Sequence, residues 1–187
     1  MSPTIATRLT IATRLATREE IERFVIPSWV SSYRSSHFAG PIPMPLYKDQ
    51  MTADIRWILA RPDIEVFVAF KPGESPPDDL WGYIVVEDKV NIRVREYDRA
   101  RRGMYDVEKP SPQKVVHFIF VKNAFRGHKI GRLLFSAAGV NPREKFHTTF
   151  KTATSSKLLQ LGKVPFMHFA PQLARFPKGE TQKDDEE

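Results

Sequence analysis

Hydrophobic and polar residues follow one another along this chain in a pattern that predicts three core strands. Ile64–Phe70 (IEVFVAF) alternates, Leu80–Glu87 (LWGYIVVE) is almost continuously apolar, and residues 114–122 (KVVHFIFVK) form a third β-rich run. Residues 71–79 contain three prolines, a glycine and two aspartates, which is typical of a turn region. We therefore expect the first two strands to pair in antiparallel orientation.

Helical signals surround these strands. A capping box, Thr17-x-x-Glu20, predicts a helix that begins near Arg18, and Pro27 is expected to kink or split it. An apolar stripe at helical spacing predicts a second helix over residues 46–60. We further predict helices over residues 126–138 and 155–161, each followed by a glycine, and strands over residues 10–15, 146–151 and 164–169.

Residues 89–113 interrupt this order and are interpreted as a long insertion or an extended hairpin, of which residues 91–94 could prolong the preceding hairpin. The segment carries Arg93, Arg95, Arg99, Arg101 and Arg102, interleaved with Tyr97 and Tyr105. Arginines and aromatic rings in this arrangement suit the phosphates and bases of a nucleic acid. Acidic residues dilute the patch, which favours a solvated or partner-facing hairpin.

Composition limits the classes of protein. The 187 residues are expected to form one domain over residues 1–177, with an N-terminal extension (1–9) and a disordered acidic tail (178–187). The net charge of +7 suits an anionic partner, and the absence of cysteine excludes disulfides and thiolate metal sites. Scattered histidines predict no metal site. Apolar runs are too short to cross a membrane, so we expect no membrane partner and a cytoplasmic location.

The segment from residue 114 to residue 135 carries the clearest functional signal. Its strand-like run ends in a polar turn, and a basic, glycine-bearing stretch, Arg126-Gly127-His128-Lys129-Ile130-Gly131, then opens an amphipathic helix. Amide N–H groups in the first turn of a helix lack intrahelical partners, and the helix dipole is positive there. Glycines let such a backbone approach a phosphate closely, so this stretch predicts a pyrophosphate-binding turn.

The same stretch resembles the acyl-CoA-binding motif of the GNAT N-acetyltransferases, Gln/Arg-x-x-Gly-x-Gly/Ala. Arg126 occupies its first position and Gly131 its last, whereas Lys129 stands where the family has its middle glycine. The chain also resembles phage-encoded GNAT-like proteins, which would place it in the host cytoplasm or the virion. The resemblance implies an α/β (α+β) fold with a mixed, mostly antiparallel central sheet flanked by helices, in which the long basic insertion of this chain precedes the motif strand.

The resemblance also implies an activity and a cofactor. Acetyl-CoA would be the co-substrate of an N-acyltransferase, and a primary amine, free or on a protein, would attack its thioester directly. The motif strand would contact the pantetheine arm and the turn would hold the pyrophosphate. The residues implied in cofactor binding are Ile119, Val121, Arg126, Gly127, His128, Lys129, Ile130, Gly131 and Arg132.

Candidates for proton transfer come from the strands. His117 lies on the motif strand, where the two-residue period predicts that it shares a face with Ile119 and Val121, and its imidazole suits a general base. A half-buried strand histidine with a structural hydrogen bond is an equal alternative. Glu87 is a second candidate base, with a solvated strand-end carboxylate as the alternative. The position at which the family has the tyrosine that serves as general acid holds Leu158. Tyr83 is a candidate for that role instead.

Other residues leave further alternatives open. His147-Thr148-Thr149 offers an imidazole and hydroxyls to a substrate groove, or simply polar side chains to solvent. Lys129 and Leu158 also fit a catalytically degenerate GNAT-like protein that serves as a viral structural or assembly component, with particle proteins as partners, or as a binding module. Nucleic-acid binding through the basic insertion is a third alternative.

Overall fold

A computed structural model describes residues 10–34, 43–73, 80–88, 91–98, 103–110, 113–150 and 152–174. Its strands are β1 (Ala12–Leu15), β2 (Ile64–Phe70), β3 (Leu80–Glu87), β4 (Asn91–Asp98), β5 (Gly103–Pro110), β6 (Val115–Val121), β7 (Phe146–Thr148) and β8 (Met167–Phe169). Its α-helices are α1 (Arg18–Glu20), α2 (Ile26–Arg34), α3 (Met44–Leu59), α4 (Ile130–Ala137) and α5 (Ala153–Gln160). The predicted extension 1–9 and tail 178–187 lie outside the described residues.

Six strands form one mixed sheet in the order β1-β2-β3-β6-β7-β8. The first four strands pair with one another in antiparallel orientation, whereas β7 runs parallel to both β6 and β8. The predicted pairing of β2 with β3 is confirmed, with Val66 opposite Val85. Helices flank this mostly antiparallel sheet, as the sequence predicts. Among the described helices, none has the length and apolar character needed to cross a bilayer.

Two apolar clusters pack against the opposite faces of the sheet. The face covered by α2 and α3 buries Trp29, which stacks on Phe118 with ring centroids 4.9 Å apart. The other face, covered by α4, buries Leu134 and Phe146 among others. Burying apolar surface on both faces is what makes a central sheet of this size stable.

The insertion forms a hairpin of its own. Residues 91–94 pair with residues 107–110 in the separate β4–β5 sheet, so the prediction that they prolong the β2–β3 hairpin is wrong. The register places Arg93 opposite Glu108 and Arg95 opposite Asp106.

Several boundaries differ from the predicted ones for identifiable reasons. Pro27 does not interrupt the first helical region; a π-helical segment, Ile21–Val25, precedes it and leads directly into α2. The motif helix begins at Ile130 instead of residue 126, because Gly127 (φ 88°) and Lys129 (φ 62°) have left-handed backbone. Strands β7 and β8 span three residues each, fewer than predicted.

Candidate functional site

The turn between β6 and α4 is folded back on the sheet. A short 3₁₀ segment, Asn123–Phe125, places the Phe125 ring on Trp81, with centroids 4.3 Å apart and planes within 10°. The Arg126 side chain donates from Nε to the Val121 carbonyl at 3.2 Å. These contacts hold the turn at the end of β6, and the Arg126, His128 and Lys129 side chains remain exposed.

Unpaired amide groups line the turn. The Arg132 N–H donates to the Lys129 carbonyl at 3.0 Å and is the first amide of α4 to bond back along the helix. In the described part of the chain, no backbone acceptor faces the amides of residues 127–131. A Cβ built on Gly131 would meet no atom within 4 Å, so there is open space above it. Backbone N–H groups, open space and basic side chains together suit an anion.

Strands β6 and β7 part immediately beyond their first two pairs. Val115 faces His147 and Val116 faces Thr148, and β7 then ends while β6 continues to Val121. The edge of β6 at residues 117–121 that faces away from β3 therefore has no partner among the described strands. We call this gap the β6–β7 opening. An unpaired strand edge offers N–H and C=O groups to an extended ligand.

A β-bulge at His117 sets the direction of its side chain. Val85 pairs with Phe118 and Val86 with Val116, so His117 is the extra residue in the ladder. Ile119 and Val121 pack in the α4-side cluster, whereas His117 contacts Glu87 and Thr149 on the opposite face. The prediction that His117, Ile119 and Val121 share a face is wrong, because the bulge shifts the two-residue alternation by one position.

His117 belongs to a buried network of hydrogen bonds. Its ring is fully buried, with Nε2 2.8 Å from Oε2 of Glu87 and Nδ1 3.0 Å from Oγ1 of Thr149. Arg61 donates from Nη1 to the same Glu87 oxygen at 2.8 Å and to the Leu173 carbonyl at 3.1 Å. The network thus ties β6 to β3, to the end of β7 and to the segment after β8.

The charges in the network follow from its surroundings. Burial lowers the pKa of His117, and Arg61 lowers it further, although the Glu87 carboxylate opposes both. Burial alone would raise the pKa of Glu87, but the hydrogen bonds and charges of His117 and Arg61 bring that pKa below its usual value. At neutral pH a neutral imidazole therefore donates from Nε2 to ionised Glu87. Its Nδ1 then accepts the Thr149 hydroxyl proton.

Tyr83 has a different environment from the other candidates. It is fully buried, donates from its hydroxyl to the Val25 carbonyl at 3.1 Å and accepts from the Ser28 hydroxyl at 3.1 Å. Burial raises the pKa of Tyr83. Among the described residues, no hydrogen bond connects Tyr83 to the His117 network. Leu158 packs partly buried against the α4-side cluster.

The structure brings together residues that are far apart in the sequence. His117, Glu87 and Thr149 meet at the apex of the β6–β7 opening, and the predicted pyrophosphate turn lies at the other end of β6. Arg61 is a member that sequence analysis missed, because no local pattern links it to residues on later strands. Neighbouring His147 is buried, and its ring nitrogens have no partner among the described residues.

Comparison with known proteins gives structural neighbours but no sequence relatives. No protein-family model and no curated protein matches the chain. A protein from Pyrococcus furiosus assigned as an acetyl transferase is similar in structure (16% identity, 82% of this chain and 91% of that chain covered, TM-score 0.52).

Two further structures have lower TM-scores. AAC(6')-Ih, an aminoglycoside 6'-N-acetyltransferase from Acinetobacter baumannii, has 9% identity, with 84% and 90% of the two chains covered and a TM-score of 0.43. AAC(6')-Iy in complex with a CoA bisubstrate analogue has 17% identity, 81% and 88% coverage and a TM-score of 0.43. The likeness to the Pyrococcus protein confirms the predicted fold class. A shared fold does not by itself specify a reaction, which depends on the residues of the site.

Proposed function

We propose that this protein is an N-acyltransferase that uses acetyl-CoA and transfers its acyl group to a primary amine by direct attack. One observation carries the proposal. A single strand, β6, has a turn with unpaired amides and basic side chains at one end, the buried His117–Glu87 pair at the other and an unpaired edge between them. These are the features needed to hold a long phosphate-bearing donor and to react at its far end.

The donor would lie along β6. The amides of residues 127–131 and the side chains of Arg126, Lys129 and Arg132 would hold the pyrophosphate. Backbone groups at Ile119 and Val121 would bond to the pantetheine arm as a neighbouring strand does. Four residues of extended strand separate Val121 from His117, about 13 Å at ~3.3 Å per residue, so the thioester end would reach the bulge.

His117 would serve as the base. An amine attacks a thioester only as the free base, so its ammonium form must first lose a proton. Because burial lowers the pKa of His117, the imidazole is unprotonated at neutral pH and able to accept that proton. Glu87 would then face an imidazolium at 2.8 Å and stabilise it. Attack on the thioester carbonyl forms the C–N bond, and the C–S bond breaks as the thiolate leaves.

A binding role without catalysis is the second candidate, and two positions favour it. Lys129 adds a side chain at a left-handed turn position where bare backbone would bring the amides closest to a phosphate. Leu158 has no proton to donate to a leaving thiolate. Such a protein would bind acetyl-CoA but release no thiol when amines are added.

The first test places a carboxylate in the turn. Gly131→Asp should abolish acetyl-CoA binding measured by calorimetry, because a negative charge would stand where the pyrophosphate is held. The open space above Gly131 means that the side chain itself fits, so folding should survive.

Leu133→Asp is the matched control, because Leu133 is an exposed residue of the same helix turn. It should bind acetyl-CoA like the wild type. Undiminished binding by the Gly131→Asp variant would contradict the donor site. Thiol release with acetyl-CoA and a panel of an aminoglycoside, a polyamine and a peptide with a free N-terminus separates the enzyme from the binding-only alternative.

A further inference from the structure

The His117 network leaves the imidazole no ring nitrogen with which to meet a substrate directly. His117 is 0% exposed, and both of its ring nitrogens are occupied, by Glu87 and by Thr149. A proton that reaches this base must therefore pass through one of those two partners. Glu87 belongs to β3, which lies on the side of β6 away from the β6–β7 opening, and Arg61 donates to the same Glu87 oxygen as His117 does.

Thr149 lies on the side where a substrate would enter. It directly follows Thr148, the last β7 residue that pairs with β6, and thus stands at the apex of the β6–β7 opening. Its hydroxyl proton points to Nδ1 of His117, which leaves the lone pairs of Oγ1 to accept a further hydrogen bond.

We infer that Thr149 is a catalytic residue of the proposed reaction, whose hydroxyl relays a proton from the acceptor ammonium to Nδ1 of His117. The inference rests on the proposed function. An ammonium N–H bond breaks as an O–H bond forms on Thr149, and the original Thr149 O–H bond breaks as an N–H bond forms on His117. The products of this step are a neutral amine, an intact threonine hydroxyl and an imidazolium.

The remaining members of the network act through His117. The Nε2–H bond to Glu87 is retained throughout, so Glu87 holds the tautomer in which Nδ1 is the acceptor and then stabilises the imidazolium. Arg61 donates to the same carboxylate oxygen at 2.8 Å and helps to hold it in place. Over a complete turnover the amine loses two protons: one returns to the thiolate, which leaves as a thiol, and one goes to solvent.

The test removes the hydroxyl and keeps the shape. Thr149→Val should lower kcat by roughly 10²-fold, which is the usual contribution of a positioned proton-transfer group, with acetyl-CoA affinity unchanged by calorimetry. Thr149→Ser, which restores a hydroxyl, should recover most of the rate. The relay is supported if the rate is lost in the Thr149→Val variant and recovered in the Thr149→Ser variant.

The pH profile provides a readout that a structural role would not move. In the wild type, kcat/KM should fall on the acid side as His117 takes up a proton, with an apparent pKa that burial lowers and that the facing charges of Glu87 (raising) and Arg61 (lowering) adjust. In the Val variant the amine must arrive already deprotonated. Its kcat/KM should then rise about tenfold per pH unit up to the pKa of the amine itself.

The outcomes separate the relay from the proposed function. A Val variant with the wild-type rate and pH profile overturns the relay alone. A wild type that binds acetyl-CoA but shows no amine-dependent thiol release overturns the proposed function, and the relay with it. The wild type also offers a measurement that needs no variant: ¹⁵N imidazole shifts must show His117 protonated at Nε2 at neutral pH. Protonation at Nδ1 instead would make Thr149 the acceptor and overturn the relay.

Discussion

Lys129 combines backbone strain with a useful charge. Within the described chain it is the only residue other than glycine with left-handed backbone, at φ 62°. A side chain in that conformation costs about 1–2 kcal/mol, which is why glycine is preferred there. Its side chain is exposed at the start of α4, between Arg126 and Arg132, where an ammonium group favours a bound anion. In the proposed function, a bound phosphate would offset the strain at this residue.

Replacing Lys129 separates the two effects. Lys129→Gly should raise the free energy of unfolding by about 1 kcal/mol, because the strain is removed, and should weaken acetyl-CoA binding at low salt, because a cation is lost. Urea denaturation and calorimetry at two salt concentrations measure both. Lys129→Ala is the control, since it loses the same charge but keeps the strain. Equal stability of the Gly and Ala variants would contradict a strained backbone at this position.

At the scale of elements, the position of β6 depends on its close approach to β3. Gly82 pairs with Val121, and a Cβ built on Gly82 would lie 2.5 Å from the Phe120 carbonyl oxygen and 3.2 Å from Cα of Val121. Both are backbone atoms, which move only if the strand moves. The missing side chain of Gly82 therefore allows β6, with its turn and its unpaired edge, to lie where it does.

Gly82→Ala should disturb this contact. We expect a loss of about 1–3 kcal/mol in the free energy of unfolding, typical of overpacking, and weaker acetyl-CoA binding because the Val121 backbone is displaced. Urea denaturation and calorimetry are the measurements. Gly131→Ala is the matched control for stability, since its Cβ meets no atom within 4 Å and alanine favours a helix. If the Gly82→Ala protein is as stable as the wild type, β3 and β6 can move apart without a loss in the free energy of unfolding, which contradicts this expectation.

At the scale of the whole molecule, the β4–β5 hairpin is an addition to a complete sheet. It connects β3 and β6, which are already antiparallel neighbours, and Glu87 faces Val115 at their adjoining ends. Lys114 and Asp88 form an ion pair at 3.0 Å where the hairpin begins and ends. The described strands of the hairpin pair with each other and not with the six-stranded sheet.

A shortened chain tests this arrangement. Replacing residues 89–113 with Asn-Gly would join Asp88 to Lys114 through a two-residue turn of the kind that antiparallel neighbours favour. The melting temperature and the acetyl-CoA affinity should both be unchanged, because the core and the turn between β6 and α4 lie outside the hairpin. Loss of acetyl-CoA binding in a folded deletion variant would place the hairpin in the donor site. Loss of amine turnover alone would assign acceptor contacts to it.

The sequence by itself determined those features of the protein that depend on local patterns of residues. The capping box at Thr17, the alternation of β2 and the basic turn before α4 each depend on residues a few positions apart. Interactions between such near neighbours are similar in most folds, so the strand, the turn and the helix are predictable from the sequence. The position of Lys129, where the family motif has its middle glycine, is predictable in the same way. Boundaries at residues 126–129 were misplaced, since left-handed backbone at a lysine has no sequence signature.

Only the tertiary structure decided which side chains meet. One extra residue in the β6 ladder turns His117 away from the face of Ile119, and a bulge of this kind depends on how β6 pairs with β3. The contacts of His117 with Glu87 and Thr149, and of Arg61 with Glu87, join segments that are distant in the chain. Such contacts arise from strand order and register, which no local pattern specifies.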